Sequence, residues 1–346
     1  MITLSTFYQG FAAMLKNKSV QKILDRIRQS DILVLLLVLI ILCIIVSFLS
    51  PVFLTRRNIM NTLRQVSLTA ICGFGLAMVI LVGEIDLSIG SQQAIAGISS
   101  VYVLNSTGSI FLAIVAALAC GVLVGTINGL LVTKAKINSL IATLGTMAIW
   151  RGAAMVITGA VSIQSAVDGF REIATGFIGF IPNAVVLATI LFIVIYYVLN
   201  HTTFGRKIYA IGGNKEASRL SGLPVDRIKL TVYIISSVLA MLSGVLLASR
   251  MASAQPTAGT GFEMIVIASV ILGGVSLAGG TGTIAGALIG MMILGVLQNG
   301  LTLLDVSSFW QDITRGLVII LAVFVDGARK ESIAKRLVRE QKQLQQ

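Results

Sequence analysis

The sequence predicts an all-α polytopic membrane protein of about ten transmembrane helices, some of them broken, with an internal repeat. Three observations carry this. Of the 346 residues, 56% are hydrophobic and only 12% are charged, against about 25% charged in a soluble domain. The mean hydropathy is +0.96. Apolar runs of about 20 residues, the length that crosses a bilayer core, follow one another with only short polar breaks. No separate soluble domain is expected. Residues 1–31 form an N-terminal tail, 32–326 the membrane-embedded body and 327–346 a basic C-terminal tail.

In order, the candidate spans are 32–49, 66–83, 88–105, 110–133, 139–158, 184–200, 230–249, 264–280, 283–304 and 308–326. The first, ILVLLLVLIILCIIVSFL, lacks a small-residue cleavage site after it and is read as a retained helix rather than a signal peptide. The third is rich in Ser and Gln. The eighth is short and ends in glycines, so these two are candidates for re-entrant or broken helices.

Ten crossings put both termini on one side, and the basic residues choose it. Nineteen of the 26 Lys and Arg residues fall in the N-tail, the 134–138 turn, the 201–229 loop and the C-tail. By the positive-inside rule that side is cytoplasmic. Arg56, Arg57 and Arg64 fall on the other side by the same count. A net charge of +12 would suggest nucleic acid in a soluble protein. Here it flanks the spans and sets orientation, and nucleic acid is not an expected partner. Cys43, Cys72 and Cys120 sit inside apolar runs, with spacing that fits neither a metal site nor a disulfide framework.

GEIDLSIGS (83–91) aligns with GGVSLAGGT (273–281), and NGL occurs at 128–130 and 299–301. The two offsets differ by about one spanning helix, which suggests a duplicated unit of the kind many transporters carry. Parallel and inverted copies both remain open. In such proteins, glycines allow a helix to break and short polar side chains satisfy the freed backbone groups.

Glu84 and Asp86 therefore have three readings. Asp86 or Ser88 caps the helix beginning near residue 88. Alternatively, Asp86, Ser88 and Ser91 face a hydrated substrate path, with Ser276 in the second copy. The third reading is a proton or cation relay, for which His201, at a loop edge, offers no partner. Arg151 lies within a span with no nearby acid, so it must face protein or water. Asp312 and Arg315, three apart, share a helix face and can neutralise each other.

The 201–229 loop contains GGNKEASRLSGLP. Asn214 is a candidate cap, and KEASRLSG reads as a short helix ended by Gly222 and stopped by Pro224. So short a helix is marginal alone, and makes sense docked into another protein. Within it, Glu216, Ala217 and Gly222 resemble the E-A-A-x-x-x-G loop of ABC importer permeases, though that family's downstream I-x-L-P element is absent. No G-x-x-x-x-G-K-[ST] phosphate loop occurs, nor HExxH or a Ser/His/Asp grouping. An enzyme is not expected, and if ATP drives this protein another chain binds it.

Taken together, GEIDLSIGS, YAIGGNKEASRLSG (209–222), SAQPTAGTGFEM (253–264), GGVSLAGGTGTIAGALIG (273–290) and LQNGLTLLDVSSFWQ (297–311) resemble the permease subunit of bacterial monosaccharide ABC importers, most of all the ribose type. The resemblance implies a homodimeric multi-pass subunit of the bacterial inner membrane that holds no cofactor. It implies a cytoplasmic ATPase that uses ATP and a periplasmic sugar-binding protein that delivers substrate. It also implies a coupling loop carrying Asn214, Glu216, Ala217, Arg219 and Gly222. Gln255 and Thr257, with Thr260 and Glu263, are candidates for the outer mouth of the path or for contact with the binding protein, and Pro256 with its small neighbours equally fits an ordinary turn. Aromatic residues are only 6% of the chain, which suits a weakly binding path better than a tight sugar pocket. Two rivals remain: an ion-coupled secondary sugar transporter using the Glu84/Asp86 segment, and a membrane scaffold with no substrate flux.

Overall fold

The computed structural model describes residues 31–321 together with 323, 324 and 327. The expected tails, 1–31 and 327–346, lie outside the described residues except at Asp31 and Gly327. The helices are α1 (Asp31–Leu49), α2 (Arg56–Leu81), α3 (Ile89–Thr107), α4 (Ile110–Thr133), α5 (Ser139–Thr158), α6 (Glu172–Thr175), α7 (Asn183–His201), α8 (Thr203–Gly213), α9 (Lys215–Leu220), α10 (Val225–Met251), α11 (Phe262–Leu272) and α12 (Ile284–Leu303). A further helical run covers 308–321. Four two-residue strands form two small antiparallel pairs, β1 (Ile163–Gln164) with β4 (Ser253–Ala254) and β2 (Phe177–Ile178) with β3 (Ile181–Pro182).

Seven of the described helices are long and apolar enough to cross a membrane: α1 from Ile32, α2, α4, α5, α7, α10 and α12. The other three expected spans differ from these for separate reasons. α3 has 19 residues, but Ser and Gln lower its hydropathy. It is tolerated because α4, α5 and α10 pack around it, with α11 alongside. α11 has 11 residues, about 16 Å of helix, so 264–280 is a half-length helix followed by a glycine-rich loop. The 308–321 helix lies at the surface. α2 starts ten residues before the apolar run because Thr55 caps it, its hydroxyl accepting from the Asn58 amide. α10 likewise begins at Val225 rather than 230.

α10 packs against α4, α2 and α3 at the centre of the molecule. Lipid tails are as apolar as these side chains, so close van der Waals packing and interhelical hydrogen bonds must hold the helices together. Gly125 of α4 lets the backbones meet: a methyl there would lie 2.6 Å from the Ile234 Cα. Hydrogen bonds stitch the same core. Gln93 Nε2 donates to Ser243 Oγ (2.8 Å), which donates to the Leu68 carbonyl (2.9 Å). α1 is peripheral, with Leu39 and Val46 against Ile289, Ile293 and Val296 and most of its other apolar side chains facing outward. An amide pair between Asn58 and Asn299 (2.9 and 3.0 Å) joins α2 to α12.

The connections gather at two ends. At one, Ile85 N donates to Ser139 Oγ (3.3 Å) and the Tyr209 hydroxyl to the Gly282 carbonyl (3.0 Å). At the other, Ser165 N donates to the Ala252 carbonyl (2.9 Å) and Arg64 Nη2 to the Thr175 carbonyl (2.8 Å). This grouping is the one that the Lys and Arg count produces.

Candidate functional site

The two aligned glycine segments are both helix breaks. α2 stops at Val82 and α11 at Gly273, each followed by a glycine in the left-handed region: Gly83 at φ 82° and Gly274 at φ 87°. After each glycine the next amide reaches five residues back, Glu84 to the Val79 carbonyl (3.0 Å) and Val275 to Val270 (3.2 Å). Glycine pays no Cβ penalty there and so ends the helix with its last carbonyls satisfied. Further along, Asp86 Oδ1 accepts from the Ser88 amide (2.9 Å), as Ser276 Oγ accepts from the Ala278 amide (3.2 Å). The two breaks touch: Gly280 N donates to the Leu81 carbonyl at 2.9 Å.

Asp86, Ser88 and Ser91 are brought together and fully buried. The Ser88 hydroxyl donates to Asp86 Oδ1 (2.6 Å) and accepts from Gln92 Nε2 and Asn128 Nδ2 (2.8 Å each). Ser91 Oγ donates to the Ser88 carbonyl (2.8 Å). Asn128 lies five residues inside the end of α4. The 84–88 segment therefore runs inward about one and a half helical turns before α3 starts. Gln92 and Asn128 were not among the sequence candidates. Their signals were the Ser88–Gln92 spacing of four and the NGL echo.

Ser276 is buried in the other break. Gln255, half-buried, and Thr257, exposed, lie on the segment between α10 and α11. That segment passes α3: a methyl on Gly90 would overlap the Gly259 carbonyl and the buried Glu263 carboxylate. The first turn of α3 thus has the Asp86–Ser88 cluster at its start and the 255–263 segment alongside. Arg151 gains the protein partners that its place in a span requires. Its Nη1 donates to the Pro256 and Ala258 carbonyls, 2.7 Å each.

Glu84 turns away from Asp86 and pairs with Lys229 near the base of α10, both side chains largely buried. This pair forms part of the wall of a cavity of about 280 Å³, whose other charged residues are Lys136, Lys215, Arg219 and Asp226. α9 borders it. Asn214 caps α9 as expected, Oδ1 accepting from the Ala217 amide at 2.9 Å. Glu216 and Ala217 are exposed, and Arg219 lies 3.6 Å from Asp226. Gly222 follows at φ 78°. The expected single loop helix is preceded by a second, α8, whose Thr202 cap gave no apolar signal. On α9 the apolar Leu220 is 88% exposed.

In the remaining span charges, Arg315 Nη1 donates to Asp312 Oδ1 at 2.6 Å, as their spacing requires. Cys72 is buried, while Cys43 and Cys120 are half-buried, and all three are free.

Comparison with known proteins gives this geometry a family. Residues 58–323 match the model described as branched-chain amino acid transport system / permease component. The chain is 45% identical to the ribose import permease protein RbsC of Escherichia coli (strain K12) over 302 residues, 85% of this chain and 93% of that protein. It is 43% identical over 296 residues to RbsC of Bacillus subtilis (strain 168), covering 85% of this chain and 91% of that one. The L-arabinose ABC transporter permease protein AraH of Azospirillum brasilense is 37% identical over 297 residues, 86% of this chain and 87% of that one. No solved structure matches. With a family model covering most of its length and full-length relatives above 40% identity, this chain belongs to the branched-chain amino acid transport system / permease component family and is a membrane permease.

Proposed function

We propose that this chain is the membrane-spanning subunit of an ATP-binding-cassette importer that carries a monosaccharide, ribose in the first instance, across the bacterial inner membrane. The observation that carries this reading is 45% identity to a ribose import permease across nearly the whole of both chains. The arabinose permeases are also similar, at 37% for the Azospirillum protein. They keep pentoses as the substrate class and make ribose the first to test.

Both termini face the cytoplasm in this reading, and the end bearing α8 and α9 is cytoplasmic. The exposed Leu220 on a short capped helix supports docking of a separate ATPase there. The opposite end, with β1–β4 and the 255–261 segment, receives a periplasmic sugar-binding protein. Two copies of the chain form the translocation unit. The helix-break similarity on either side of the Leu81–Gly280 contact supports an internal duplication. α3 and α11 join the seven apolar helices as the broken, protein-covered elements of a span set of about ten. Asp86, Ser88, Ser91 and Ser276 shape the path by fixing the breaks, and Gln255 and Thr257 flank its outer mouth. Engagement of Glu84 by Lys229 favours ATP drive over ion coupling, because a neutralised carboxylate is a poor cation relay.

Co-purification tests the assembly. The tagged chain is expressed with the ATPase encoded beside it and extracted in detergent. Equal recovery of the two, with ATP-dependent ribose uptake in vesicles supplied with the binding protein, is the expected result. Uptake that persists without any ATPase overturns it.

A further inference from the structure

The end of α8 is where backbone from three parts of the chain crosses without side chains. A methyl on Gly212 would overlap the Leu81 carbonyl oxygen at the end of α2, and would lie 2.5 Å from the Gly280 amide nitrogen. A methyl on Gly279 would lie 2.8 Å from the Gly83 Cα and 3.2 Å from the Gly212 Cα. The Leu81–Gly280 hydrogen bond runs through the crossing at 2.9 Å. Real Cβ atoms do not approach so closely in a packed interior. Only glycine lets the three strands of backbone meet.

A second tie leads from the same helix. The Tyr209 hydroxyl donates to the Gly282 carbonyl at 3.0 Å. Burial pushes the Tyr209 phenol up from its ordinary value, so it stays a protonated donor. Gly282 precedes the Thr283 cap of α12. Two residues beyond Gly212, Asn214 caps α9. The elbow between α8 and α9 is therefore joined on one side to the surface helix and on the other to both helix breaks, 82–88 and 273–283.

We propose that Gly212 and Tyr209 are positioning residues that tie the α8–α9 elbow to both helix breaks, so that displacement of α9 moves the start of α3 and the start of α12 together. The inference rests on the importer reading, in which α9 is the element an ATPase displaces. Packed elements of this kind shift as units between discrete arrangements instead of bending. Rigid, side-chain-free crossings leave no slack to absorb the motion.

Neighbouring glycines supply the test. A methyl on Gly213 would meet nothing within 4 Å, whereas one on Gly212 would push Leu81 and Gly280 apart. In the reconstituted complex, Gly212→Ala should lower sugar taken up per ATP hydrolysed by about tenfold, which corresponds to about 1.4 kcal/mol between the barriers of the coupled and uncoupled routes. Gly213→Ala should keep the ratio of the unsubstituted complex. Tyr209→Phe, which removes one hydrogen bond and keeps the ring, should lower the ratio by a smaller factor and decides the matter if Gly212→Ala does not accumulate. A purely structural role would reduce the amount of active complex and leave the ratio intact. Equal ratios in all variants, beside coupled uptake in the unsubstituted complex, overturn the tie alone. Failure of the unsubstituted complex to couple uptake to ATP overturns the importer reading and this inference with it.

Discussion

Lys229, one turn into α10, donates to the Glu84 carboxylate on the segment that leads into α3, and neither side chain is more than 12% exposed. A helix and a helix break far apart in sequence are thus joined by an ion pair. Removing one partner strands the other in a poorly solvated site, at a cost of about 3 kcal/mol. Lys229→Met and Glu84→Gln are each expected to lower the melting temperature in detergent. The double variant should lose less than the two single losses added together. Additive losses would show that the pair contributes nothing as a pair.

Asp86 has a different role from Glu84, although the two are separated by one residue. It is fully buried and accepts from the Ser88 amide and hydroxyl. Asp86→Ala leaves those donors unmet, costing about 1–3 kcal/mol, and is expected to reduce the folded yield. Asp86→Asn keeps an acceptor at Oδ1 and is expected to retain sugar uptake. Loss of uptake by a well-folded Asp86→Asn protein would assign the charge itself to transport.

These residues also mark what was legible in the sequence. The spans of α4, α5 and α12 were read to within a residue because they are continuous apolar runs with clear caps at Ser109, Asn138 and Thr283. The start of α2 was missed because its first ten residues carry Arg56, Arg57 and Arg64, which hydropathy counts against a span. The cation–π contacts of Arg56 with Phe180 and Arg64 with Phe177 depend on the 159–182 connection, whose small strands pair with or fold against distant segments. The pairing of Glu84 with Lys229 spans 145 residues and has no local signature. By contrast, the Asp312–Arg315 pair is local and was read directly from its spacing.

Gly222 and Leu220 make separate predictions at the surface helix. Gly222 has φ 78° with open space around its Cα, so Gly222→Val is penalised through the backbone and not by a clash. The strain is about 1–3 kcal/mol and would loosen the turn after α9. Leu220→Asp leaves the fold untouched, because the side chain is already 88% exposed. It is expected to keep insertion and melting temperature but to abolish recovery of the ATPase with the tagged chain. Normal recovery with Leu220→Asp would remove α9 as the docking element.

Arg151 is, like Lys229, a span charge whose partners have no local signature in the sequence, and its geometry makes a prediction about motion. One guanidinium nitrogen binds the Pro256 and Ala258 carbonyls at 2.7 Å each. Arg151→Ala removes the donor from both, whereas Arg151→Lys keeps a cation that can reach one of them as a point donor. The segment carrying the exposed Thr257 should therefore move more freely in the order Arg, Lys, Ala. The measurement is the labelling rate of Thr257→Cys by a membrane-impermeant maleimide applied from the side proposed to be periplasmic, in a chain with Cys43, Cys72 and Cys120 replaced by Ala. Labelling should be slowest with Arg151, faster with Arg151→Lys and fastest with Arg151→Ala. A rate independent of residue 151 would mean that β4 and its pairing with β1 hold the segment without the guanidinium, and that the charge serves some other partner.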